Sequence, residues 1–145
     1  MRVVLDATVL VRAHPRSAST ARKLLVALLA GSHTPVLSNA IIAETIRVLR
    51  YPRLQKLHAL SEEELYGYAQ FLRDVSDMVV IGPHYHAPLR DAHDLDVMQT
   101  EECGVADVLC SNDGDFHDKE ILQYCAARGI DVCTESSLLR RLTSG

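Results

Sequence analysis

The sequence has no apolar run of the roughly 18 residues that a membrane-spanning helix needs; its longest stretches lie near Leu24 to Ala30 and Met78 to Gly82. It has no zinc-spaced cysteines either. Cys103, Cys110, Cys125 and Cys133 fall 7, 15 and 8 positions apart, which matches no C-x-x-C pair and reads as buried, reduced thiols. No repeat, low-complexity tract or linker interrupts the chain. The opening MRVVLDATVLV carries Asp6 where an export signal needs uninterrupted apolar residues, and no small-residue cleavage site follows, so the expectation is a soluble cytoplasmic protein. Scarcest of all are acids in the first 60 residues, which hold nine Lys/Arg against only Asp6 and Glu44.

What is present is a chain of 145 residues, 48% hydrophobic and 23% charged. That is enough for one domain spanning 1–145 with a single core, and it argues against both disorder and a multidomain enzyme. The net charge of -4 is unevenly spread, because residues 61–145 carry six bases and seventeen acids. A basic half suggests a surface that faces a polyanion, although a solvated helix face produces the same pattern.

Short β-branched runs alternate with amphipathic segments, the signature of a parallel sheet covered by helices. Arg2 to Leu5, Pro35 to Leu37, Met78 to Ile81, Asp107 to Cys110 and Ile130 to Cys133 read as strands. Helices are expected over about Ala18–Ala30, from Ser38 or Asn39 to about Arg50, from Ser61 to about Val75, Asp91–Cys103, Asp118–Arg128 and from Ser136. Tyr51-Pro52 ends the second, because the residue before proline leaves the α region. Ser61 with Glu64 makes a capping box for the third. The order βαβααβαβαβα gives an α/β fold: a single three-layer domain, with a parallel sheet of about five strands and helices on both faces.

Several acids sit where acids are costly. Asp6 follows the apolar strand Val3-Val4-Leu5 at its C-terminal edge, where open α/β sheets bind ligands. Glu44 shares a helix face with Ile41 and Val48; a buried carboxylate there calls for a nearby cation. Asp94 precedes Val97 and Met98 in the first turn of its helix, though N-terminal capping would also explain it. Asp113 follows the strand Val108-Leu109-Cys110 through Ser111-Asn112, with Asp115 two positions on. Carboxylates gathered at one sheet edge repel one another unless a cation neutralises them. All-oxygen ligands select Mg²⁺ or Mn²⁺, and carboxylate-held Mg²⁺ without a glycine-rich phosphate loop points to phosphodiester hydrolysis.

VVLDATVLVRA at 3–13, LSNAIIAETIRVLRYPRL at 37–54, RDAHDLDVMQ at 90–99 and GVADVLCSNDGDF at 104–116 together resemble the PIN-domain ribonucleases, and within them the toxins of toxin-antitoxin operons. The resemblance covers nearly the whole chain. It implies a PIN-like fold in which Asp6, Glu44, Asp94 and Asp113 are catalytic and hold Mg²⁺ or Mn²⁺, with Asp115 as a further ligand. It also implies an RNA substrate, a cognate antitoxin and a homodimer. Position 7 is Ala where the family usually has a small hydroxyl or amide residue, so Thr8 takes the polar role, with Asn112 beside the fourth acid. The family often reads Asp-Pro-Asp-Asp before its third acid, whereas this chain reads Asp91-Ala-His93-Asp94. Asp94 stands ten residues before Gly104, as the pattern asks, with Asp91 and Asp96 as competitors.

Two other α/β readings fail on single residues. A phosphoacceptor receiver needs paired acids after the first strand and a lysine after the fifth, and no lysine follows Lys119. A haloacid-type phosphatase needs Asp-x-Asp where this chain has Asp6-Ala7-Thr8. The stronger rival is a PIN-like scaffold with little or no catalysis that acts through RNA or protein binding. His84, His86 and His93 form a metal-like grouping that lacks a fourth ligand. Arg12, Arg47 and Arg50, flanked by Arg16 and Arg53, are candidates to hold substrate phosphates; pairing with the acids of the second half is the plainer alternative. Leu65, Tyr68, Ala69, Leu72 and Val75 make an apolar stripe that either packs on the sheet or serves a partner.

Overall fold

The computed structural model describes residues 1–144. β1 (Arg2–Leu5) leads directly into α1 (Ala7–Arg12), followed by α2 (Thr20–Ala30), β2 (Thr34–Leu37), α3 (Asn39–Leu49), α4 (Pro52–His58), α5 (Glu62–Val75) and β3 (Asp77–Met78). Then come α6 (Ala92–Cys103), β4 (Val108–Cys110), a 3₁₀ turn (Gly114–His117), α7 (Lys119–Ala126), β5 (Asp131–Cys133) and α8 (Glu135–Thr143). The five strands form one sheet in the order β3-β2-β1-β4-β5, with every neighbouring pair parallel. The expected α/β fold with a five-stranded parallel sheet is therefore the one observed.

β1 lies at the centre. Val3, Val4 and Leu5 are consecutive and all buried; since strand side chains alternate between faces, both faces of the sheet are covered. The chain runs outward from β1 to β2 and β3, then returns to β1's other edge as β4. The reversal opens a crevice at the C-terminal ends of β1 and β4, where such sheets bind ligands.

Three elements differ from the sequence reading. α1 starts immediately after β1, in a stretch whose sequence reads only as an apolar run, because the Asp6 side chain caps it by accepting the Val9 N–H. Pro52 does end α3, but it also opens α4 as its first residue, a position where its missing N–H is harmless. β3 is only two residues long, and Val80 beyond it is 94% exposed, so the apolar run to Ile81 outlasts its pairing at the sheet's edge. One thiol also departs from expectation: Cys110, Cys125 and Cys133 are buried, whereas Cys103 is exposed.

The uneven charge has a structural counterpart. Arginines of the basic half reach acids of the other half: Arg2 pairs with Asp77 at 2.7 Å, Arg12 with Glu135 at 2.9 Å, Arg16 with Glu64 at 3.0 Å and Arg50 with Glu62 at 2.8 Å. The stripe on α5 packs inward, with Leu65, Tyr68, Ala69 and Leu72 all buried. Exposed apolar side chains near it are Leu57, Tyr66 and Phe71.

Candidate active site

Each acid reaches the crevice by a local device. Asp6, 3% exposed, is the residue after β1, and its N–H still extends the ladder by donating to the Cys110 carbonyl at 3.2 Å. Its carboxylate accepts the Thr8 hydroxyl, the Val9 N–H at 3.3 Å and the Ser111 hydroxyl. Burial pushes the Asp6 pKa up, while the Ser111, Thr8 and Val9 bonds favour the charged form and oppose it. Ser111 also accepts the Asp113 N–H at 2.9 Å, and Asp113 accepts the Asp115 N–H at 2.9 Å. The turn after β4 is thus built around side chains that pin the next acid in line.

Three acids cluster most tightly: ligand oxygens of Asp94, Asp113 and Asp115 lie within 4.8 Å of one another. None of the three joins a salt bridge among the described residues. Burial pushes the Asp94 carboxyl up to about 7, helped by the charges of Asp113, Asp91, Asp115 and Asp6. Of the competing acids, Asp91 caps α6 by accepting the His93 N–H at 2.8 Å. Asp96 lines the same cavity as Asp94 but stands outside the tight cluster.

Asp6, Glu44, Asp94 and Asp113 all line one cavity of about 250 Å³. Glu44 has the nearby cation that its apolar helix face demanded, Arg47. Arg47 Nε donates to its Oε2 at 3.0 Å, and His93 Nε2 lies 3.0 Å from the same oxygen. Arg47 in turn donates to the Tyr51 hydroxyl at 2.6 Å. Glu44 is therefore held by neighbours, and it lies apart from the three-acid cluster.

The supporting residues divide. Thr8 touches Asp6 and also accepts the Asn112 N–H at 3.3 Å. The Asn112 side chain turns away, accepting the Glu135 N–H at 3.2 Å. Arg12, Arg47 and Arg50 are exposed and each is ion-paired, with Glu135, Glu44 and Glu62 respectively. His84 and His86 are exposed loop residues; His93 alone of the three reaches the cavity. Sequence reading missed two participants. Ser111 stood inside a quoted segment, and its signal was a lone hydroxyl between a buried strand and an acid. The bridge from His93 to Glu44 joins α6 to α3 and has no trace in local spacing.

Carboxylates gathered without a balancing cation, one of them with its pKa driven up by its neighbours, fit a divalent metal ion. The sequence comparison agrees: the chain matches the PIN domain family over residues 2–133, and it belongs to that family. Members of the family are typically nucleases that act on RNA with divalent metals. No individual curated protein matches the chain.

Proposed function

We propose that this chain is a Mg²⁺- or Mn²⁺-dependent endoribonuclease and the toxin of a toxin-antitoxin pair. The observation that carries the nuclease reading is the approach of Asp94, Asp113 and Asp115 to within 4.8 Å beside the buried Asp6. Asp6, Asp94 and Asp113 would hold the metal, with Asp115 completing the set from the rim. A bound divalent ion there supplies Lewis-acid polarisation of a phosphoryl oxygen and makes a water more acidic. The protein's own part is positioning. Ser111 and Thr8 fix the Asp6 carboxylate, and the Asn112 N–H holds Thr8 in turn. Arg47 and His93 hold Glu44 in the same cavity, as the fourth catalytic acid. Arg12, Arg47 and Arg50 supply exposed guanidinium groups for flanking phosphates. Only the Arg50 partner, Glu62, is a surface carboxylate, and such a pair is weak enough to exchange; Glu135 and Glu44 are largely buried.

The deciding experiment is cleavage of a mixed RNA pool by purified protein with Mn²⁺. Cleavage is expected to vanish with EDTA and in Asp6→Asn. Cleavage that survives either would remove the metal mechanism. The toxin role predicts growth arrest on expression of the chain alone, relieved by a neighbouring antitoxin gene. The homodimer rests on the family and on the exposed apolar side chains Leu57, Tyr66 and Phe71; light scattering at tens of micromolar tests it. Among the described residues, no helix is long and apolar enough to cross a membrane.

A further inference from the structure

Two of the four thiols face each other. Cys110 closes β4 and Cys133 closes β5, and the parallel register sets them directly opposite one another. On the other side of Cys110 the register partner is Leu5, the residue before Asp6, so Cys133, Cys110 and Leu5 form one row across three strands. Register partners point to the same face of a sheet whose strands lie about 4.8 Å apart, a spacing inside the roughly 4.4–6.8 Å between Cα atoms that a disulfide spans. The two thiols hydrogen-bond to one another. That bond pulls the Cys133 pKa down, with burial opposing it and Arg141 assisting, whereas the same bond and burial push the Cys110 thiol up. The pair is therefore unequal, with one sulfur prepared to react as thiolate and the other to follow as thiol. β5 is the edge of the sheet, and Cys133 is 4% exposed where Cys110 is fully covered, so a small oxidant meets Cys133 first.

We propose that Cys110 and Cys133 are a site of oxidation by hydroperoxides, and that the cross-strand disulfide formed there loosens the Asp6 end of the metal site. The Cys133 thiolate attacks the O–O bond of hydrogen peroxide and keeps one oxygen as a sulfenic acid; the hydroxide released recombines with the proton that Cys133 had lost. The Cys110 sulfur then attacks the sulfenic sulfur, the S–S bond forms, and the Cys110 proton leaves with the oxygen as a second water. Two thiols and one peroxide thus become one disulfide and two waters. Closing the bond draws the two Cβ atoms to about 3.8 Å, roughly 1 Å nearer than the ladder spacing. The displacement falls on the last residue of β4. Its carbonyl accepts the Asp6 N–H at 3.2 Å, and the next residue, Ser111, donates its hydroxyl to the Asp6 carboxylate while its N–H is tied to the Cys133 carbonyl at 3.0 Å. Drawing this end of β4 towards β5 pulls both contacts away from β1, and Asp6 with its oxygens loses the two supports that β4 gives it. The effect on metal rests on the metal reading above; the formation of the bond does not.

The test uses the full chain carrying Cys103→Ser, which removes the exposed thiol and with it bonds between molecules. A few equivalents of hydrogen peroxide should lower the mass by about 2 Da, the two hydrogens lost to a disulfide. Peptide mapping should find Cys110 joined to Cys133, and dithiothreitol should restore the mass. The oxidised protein should keep the circular dichroism of the reduced one but bind Mn²⁺ roughly tenfold more weakly by calorimetry, the scale on which lost outer contacts to a ligand weaken metal sites. Cys133→Ala and Cys110→Ala, each added to the same background, should show no such loss of mass, and whichever of them folds should keep its Mn²⁺ affinity through peroxide. Cys125→Ala should behave like the parent. The inference is overturned if peroxide fails to join Cys110 to Cys133, if either pairs with Cys125 instead, or if the mapped disulfide leaves Mn²⁺ affinity unchanged. A reduced chain that binds no Mn²⁺ would instead bring down the metal reading, and the coupling with it, even where the disulfide is mapped.

Discussion

The Ser111 hydroxyl donates to the Asp6 carboxylate across the junction of β4 and β1, 105 positions apart in sequence. The same oxygen accepts the Asp113 N–H, so one small side chain fixes two of the site's acids. Ser111→Ala should cost about 1–3 kcal/mol, the usual penalty for leaving a buried acceptor short of a donor. Because the Ser111 bond holds the Asp6 pKa down, its loss should raise that pKa and move the acidic limb of the cleavage profile to higher pH. Ser111→Thr should restore both. An unchanged limb in Ser111→Ala would show that Asp6 does not titrate in the activity.

Metal-free protein should lose stability as the pH rises. Burial pushes Asp94 up to about 7 and Glu101 up to about 9. Both carboxylate oxygens of Glu101 are buried without a hydrogen-bond partner among the described residues. Each group binds its proton more tightly in the folded chain than in the unfolded one, where the values are about 3.9 and 4.3. The stability contributed by the neutral forms is therefore complete below about pH 4 and is lost as pH rises through about 7 and then about 9. Melts in EDTA should give a higher melting temperature at pH 5.5 than at pH 8. Asp94→Asn should flatten the fall up to about pH 7, and Glu101→Gln should flatten it over the whole range from about pH 4.3 to about pH 9. A melting temperature that climbs from pH 5.5 to 8 would contradict this.

Divalent ions should reverse that loss. Binding to the folded state alone contributes about 2.7 kcal/mol at a hundredfold excess over Kd. For a chain of this size each kcal/mol is worth roughly 3 °C, so millimolar Mn²⁺ at pH 8 should raise the melting temperature by several degrees. Asp113→Asn should remove most of the rise while making the metal-free protein more stable. A melting temperature indifferent to Mn²⁺ would count against the metal site.

If Arg50 meets the substrate, its partner Glu62 is a competitor of the phosphate. Arg50→Glu should weaken RNA binding severalfold and flatten its salt dependence. Glu62→Ala, which frees the guanidinium held at 2.8 Å, should tighten binding. Identical affinities for the parent and both variants would place the RNA path elsewhere.

Much of the fold was legible because its strongest signals are local. Continuous apolar runs marked β1, β2 and β4, the short β-branched stretch Ile130 to Cys133 marked β5, and the Ser61 to Glu64 capping box is present. α1 escaped because Asp6 plays two parts, closing a strand and capping a helix, with no loop between to announce the change. In the site, the backbone positions of the acids followed from strand ends and helix faces. Which oxygens cluster did not. Glu44 and Asp115 exchange the prominence that sequence gave them, since Arg47 and His93 hold the first while the turn from Asp113 brings in the second. Those outcomes depend on contacts between α3 and α6 and between β4 and β1, which no period within a segment encodes.

The placement of β4 against β1 also bears on how the protein is made. Asp6 leaves the ribosome long before Ser111 and Asp113, and the strand that carries them must pair with β1 before the acids can meet. A nascent chain that has emerged only as far as β3 holds Asp6 and Glu44 but none of the three clustered acids. The order of translation thus makes the crevice a late product, complete only once β4 has emerged and paired with β1.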